Sequence, residues 1–90
     1  MKKAIITVLG KDSVGIIYNV AKILSENNIN ILDISQTIMD DIFTMVMSVD
    51  IEKSKVDFGA LSKTLEDKGV ELGVKVIICL EEIFNSMHRI

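Results

Sequence analysis

Along this chain the spacing of apolar positions switches between a period of two and a helical period, and each switch marks an element. Residues 3 to 9, KAIITVL, are rich in β-branched side chains, with Ala4, Ile6 and Val8 forming a more apolar parity than Lys3, Ile5 and Thr7. That alternation predicts a half-buried strand. From Val14 to about Asn27 the apolar residues Ile16, Ile17, Val20, Ala21, Ile23 and Leu24 fall on one helical stripe. Asp12 or Ser13 stands where such a helix is capped, and Asn27-Asn28 stands where it ends. Two strand-like runs follow, INILDISQTIM and IFTMVMSVDI, joined by Asp40-Asp41 as a hairpin turn. In the second run Phe43, Met45, Met47, Val49 and Ile51 share a parity, which assigns that face to the core. Ser54 followed by Asp57 matches a capping box, Phe58, Leu61 and Leu65 give the next helix its stripe, and Gly69 is expected to stop it. VKVIICL, residues 74 to 80, is the last strand; Ile83, Phe84, Met87 and Ile90 then recur at helical spacing in residues 81–90.

The order β-α-β-β-α-β with a short C-terminal helix is an α+β arrangement, the ferredoxin-like split βαβ plan. Right-handed crossovers put both main helices on one face of an antiparallel sheet with strand order 4-1-3-2. The other face carries Ile5, Thr7, Asp33, Ser35, Thr37, Thr44, Val46, Ile77 and Cys79, a mixture too apolar to stay fully wet. The terminal helix or a second subunit is expected to cover part of it. With no proline and no low-complexity tract, residues 1–90 read as one domain whose residues 81–90 form a helical tail.

Composition narrows the function. Apolar residues make up 49% of the chain and mean hydropathy is +0.41, high enough that surface held against a partner is the default expectation. Net charge is −3 and the ten basic residues are scattered, which argues against a nucleic-acid surface. The aromatics Tyr18, Phe43, Phe58 and Phe84 do not form a base-stacking set. In MKKAIITVLG the apolar part runs only from Ala4 to Leu9, so it reads as a strand rather than a secretion signal, and no apolar run is long enough for a membrane helix. A cytoplasmic location is expected. Cys79 is the sole cysteine and reads as a small packed residue; His88 is the sole histidine, so no metal site and no cofactor is expected.

The candidate chemistry lies in VLGKDSVGII, residues 8 to 17. Gly10 and Gly15 have the spacing of a phosphate loop, but Ile16-Ile17 stand where lysine and a hydroxyl residue must follow, so nucleotide hydrolysis is excluded. The acylphosphatase use of the same topology needs a first-loop arginine, and the one arginine is Arg89. No catalytic residue is expected. What the residues allow is a helix N-terminus whose N–H groups a small carboxylate could approach past Gly15. On the residues alone, Gly15 reads first as allowing close packing of the helix against the sheet or against another subunit.

ITVLGKDSVGIIYNVAKILSENNINILDISQT, followed by the hairpin to Ile51, resembles an ACT domain. The likeness rests on the first strand, Asp12-x-x-Gly15, a helix of this length and Asn30-Ile31 opening the second strand, and it runs through the second helix and last strand. Within that family the chain is similar to free-standing single-domain members, and to the ACT domains of the glycine cleavage system transcriptional repressor and formyltetrahydrofolate deformylase. The resemblance implies a non-enzymatic regulatory module: a homodimer, or a higher assembly of itself, that binds a small amino acid or related metabolite and acts on a regulated enzyme or regulator protein. It implies a ligand between the first loop of one subunit, with Asp12, Ser13, Val14 and Gly15, and Asn30 of its neighbour. Val14 replaces the proline that many family members carry there. A dimerisation or interaction module without a ligand is the alternative.

Overall fold

The computed structural model describes residues 1–11 and 15–87. Seven elements follow in order: β1 (Lys3–Lys11), α1 (Ile16–Glu26), β2 (Asn30–Met39), β3 (Ile42–Asp50), α2 (Phe58–Leu72), β4 (Lys75–Leu80) and α3 (Glu81–Met87). The strands form one antiparallel sheet in the order β2-β3-β1-β4, the expected order.

The period-two parities become the core. Ala4, Ile6 and Val8 of β1 lie opposite Val49, Met47 and Met45 of β3, and all six are fully buried. Ile16, Val20, Ile23 and Leu24 of α1, with Leu61 and Leu65 of α2, close over them from one side. The hairpin turns at Asp40, which takes a left-handed φ of 57°; a short polar side chain tolerates that conformation.

Two helix boundaries differ from the sequence reading. Ser54 does not cap α2: its hydroxyl donates to the Val56 carbonyl at 2.8 Å, and the cap is Asp57, whose carboxylate accepts the Ala60 N–H at 2.7 Å. Gly69 does not stop α2 either, and the helix runs on to Leu72 with Gly73 (φ 77°) at its C-terminal cap. Gly69 answers a tertiary demand instead. A Cβ there would sit 2.8 Å from the Val74 carbonyl oxygen, so glycine lets α2 lie directly against β4.

The face turned away from α1 and α2 is partly covered. Ile5 lies on it and is nevertheless buried, and α3 contacts both β1, which carries Ile5, and the neighbouring strand β4. Ile77 on the same face remains 42% exposed. Ile90 and His88 lie outside the described residues.

Candidate functional site

α1 starts at Gly15, the N-cap residue, with φ 89° and ψ 2°. This left-handed conformation is what glycine provides here. Space is not the reason, since an added Cβ would meet only Asn19 Nδ2, at 3.5 Å. The Gly15 carbonyl accepts two hydrogen bonds from Asn19, one from the backbone N–H at 3.0 Å and one from Nδ2 at 2.8 Å. Asn19 thereby pins the loop exit to the first turn of the helix. The cap expected from Asp12 or Ser13 falls instead to a residue without a side chain, and Asp12, Ser13 and Val14 themselves lie outside the described residues.

At the other end of α1 three asparagines divide the work. Asn27 is the C-cap, its Nδ2 donating to the Ile23 carbonyl at 2.9 Å. Asn28 takes a left-handed φ of 61° and donates from Nδ2 to the Lys53 carbonyl at 3.3 Å. Asn30 opens β2 opposite Asp50 and is exposed. It borders a groove of about 350 Å³ between α1 and β2, whose walls include Ala21, Leu24, Ser25, Asn28 and Ile31. Sequence reasoning singled out Asn30 but not Ser25, which lines the same groove. The available signal was position: Ser25 follows Ala21 by four residues, on the same side of the helix.

Gly15 and Asn30 are not neighbours within one chain. α1 separates them, and its 11 residues span about 16 Å at 1.5 Å per residue. β1 and β2 run parallel, because each is antiparallel to β3; Gly15 follows the C-terminal end of β1, while Asn30 stands at the N-terminal start of β2.

β2 itself is unusual. All ten of its residues are exposed. Ile31, Ile34 and Ile38 pair with Val49, Met47 and Phe43, on the helix side, yet keep 37%, 38% and 62% of their surface in water. The register slips at Leu32, and Asp33 Oδ1 accepts the Ile34 N–H at 2.9 Å just beyond the slip. This bulge returns Ile34 to the side of Ile31. The strand's edge position, with α1 the one helix in contact with it, leaves it open.

Other depressions differ in lining: one beside Ile51, Phe58 and Leu61 carries the charged Lys2, Glu52 and Asp57. One of about 390 Å³ lies between α2 and the β4 edge, beside Val70, Val76 and Ile77. Among the described residues no group of three or more histidine, cysteine or acidic side chains could hold a metal ion, and no helix is long and apolar enough to cross a membrane. Burial pushes the Cys79 thiol above its ordinary range.

A family model described as an ACT domain matches residues 2–78. The chain belongs to the ACT domain family. A UPF0237 protein of Methanocaldococcus jannaschii is 56% identical over 90 residues, spanning 100% of both chains. The solved ACT domain protein from Streptococcus pneumoniae superposes with a TM-score of 0.80 at 44% identity, covering 92% of this chain and 93% of that one. A formyltetrahydrofolate deformylase from Pseudomonas syringae also reaches a TM-score of 0.80, at 18% identity over 89% of this chain and 28% of its own length, a likeness of fold. ACT domains are regulatory, small-molecule-binding modules. In this ACT domain the two halves of the expected site, Gly15 and Asn30, stand at opposite ends of α1.

Proposed function

We propose that this ACT domain is a homodimeric sensor of an amino acid or related metabolite, acting in trans on a regulated enzyme or regulator protein. The observation that carries this reading is the separation of Gly15 from Asn30 beside an edge strand exposed along its whole length. Two β2 edges pairing antiparallel about a twofold axis carry the Asn30 end of one copy to the Ile38–Met39 end of the other. That is the end at which Gly15 lies. The same pairing satisfies the outward N–H and carbonyl groups of β2 and covers Ile31, Ile34 and Ile38. A carboxylate then meets the N-terminal end of α1 from one copy and an asparagine amide, which both donates and accepts, from the other.

The test pairs a mass measurement by light scattering with a thermal-shift screen of amino acids. A mass of twice the 10.0 kDa chain and a saturable shift with one class of amino acid are expected. A folded monomer at micromolar concentration removes the composite site. A folded dimer that no amino acid stabilises leaves the interaction module, a reading favoured by the exposed Ile77 of β4 and Ile83 of α3.

A further inference from the structure

We infer that the groove between α1 and β2 selects the ligand's side chain, with Ser25 as the specificity-determining residue, and that it takes an uncharged side chain bearing a hydroxyl or amide. This rests on the reading of the composite amino-acid site and adds which amino acids enter it. The groove reaches Asn30, the residue that faces the ligand in that reading, and extends from it along α1 to Ala21. A ligand whose charged groups lie at Asn30 and at Gly15 of a second copy has this groove beside its side chain.

The lining decides the class. Ala21 and the exposed Ile31 supply apolar wall, while Ser25, Asn28 and Asn30 supply neutral polar groups; none of the residues lining the groove is charged. A charged side chain entering it would lose hydration without gaining an opposite charge, which is strongly unfavourable. A purely aliphatic side chain would cover hydroxyl and amide groups without replacing their hydrogen bonds to water, and polar sites reject such analogues strongly. The Asn28 amide is already engaged by the Lys53 carbonyl. Among the described residues the Ser25 hydroxyl has no hydrogen-bond partner, so it is free to act as donor or acceptor toward a ligand. Ser25 lies on the exposed surface of α1, one turn beyond Ala21, where it holds up no part of the core.

The experiment is isothermal titration of the full chain with L-serine, L-threonine, L-asparagine and L-glutamine against L-leucine, L-aspartate and L-lysine. Amide chemical-shift mapping accompanies it. At least one neutral polar amino acid is expected to bind at least tenfold more tightly than the other three probes, with shifts concentrated at Ala21, Ser25 and Ile31. Ser25→Ala is expected to weaken that binding about tenfold with an unchanged circular dichroism spectrum, and Ser25→Asp to turn preference toward L-lysine. Equal binding of the apolar or charged probes, or an unchanged affinity in Ser25→Ala, overturns the assignment while leaving the amino-acid sensor intact. Failure of every probe to bind the folded wild-type dimer overturns the sensor reading, and this inference with it.

Discussion

Gly10 and Gly15 bracket the same loop and are glycine for different reasons. A Cβ at Gly10 would stand 2.4 Å from Val74 Cγ1 and 2.9 Å from Val74 Cβ, inside a wall that α2 and β4 hold in place. Gly10→Ala is therefore expected to destabilise the fold by about 1–3 kcal/mol, as overpacking does, read from the urea midpoint at unchanged slope. Gly15 has room for a Cβ but a left-handed backbone. Gly15→Ala is expected to cost about 1–2 kcal/mol through conformation, and Gly15→Asn less, since asparagine tolerates that region. The pair separates strain from blocked ligand approach, which Gly15→Val would combine. At the amino terminus the Met1 ammonium donates to Glu52 Oε1 at 2.7 Å, and this hydrogen bond, with the carboxylate's charge, raises the ammonium's pKa above 8.0. A cation whose folded pKa is raised contributes stability that is complete below the unfolded value and lost as pH rises through the folded one. A shallow fall in melting temperature above pH 8.0 is expected, and Glu52→Gln should remove it.

At the scale of elements, caps and edges carry the informative substitutions. Asp57 accepts the Ala60 N–H and is the one side-chain cap that the described residues give α2. Asp57→Ala is expected to cost about 1 kcal/mol, measured by chemical denaturation, whereas Ser54→Ala, aimed at the residue the capping pattern pointed to, should cost less. The edge strand separates folding from assembly. Ile34 and Ile38 are already 38% and 62% exposed in the single chain, so Ile38→Lys should leave the melting of an isolated copy nearly unchanged while breaking a β2-paired dimer. Light scattering at several concentrations checks this. A variant that stays dimeric would place the contact elsewhere.

For the molecule as a whole, the two sheet edges are unequal. β4 is six residues long, begins at Lys75 and runs straight into the acidic start of α3, Glu81-Glu82. Short length and flanking charge are how proteins blunt an edge. β2 is ten residues long and carries one charged residue, Asp33. One protected and one open edge favour a closed pair over an endless sheet, because a single isologous contact is satisfied by two copies. Removing α3 by truncation after Leu80 is expected to lower the melting temperature, since α3 contacts β1 and β4, and a dimer paired through β2 should survive it, which light scattering on the shortened chain checks.

The sequence by itself determined the element order, the sheet order and nearly all of the core, because those follow from local periodicity and from the handedness of the crossovers. Ala4, Ile6, Val8, Met45, Met47 and Val49 were legible as one buried layer for that reason. It also marked Gly15 and Asn30 as candidates. Tertiary structure decided what local pattern cannot hold: that Gly69 serves a helix–strand contact rather than a helix end, that Gly15 caps its own helix, that β2 stays in water although its isoleucines repeat like core residues, and that Ser25 lines a groove. Each depends on which surfaces meet in space, and burial is a property of neighbours far along the chain, whereas period and parity are properties of the segment alone.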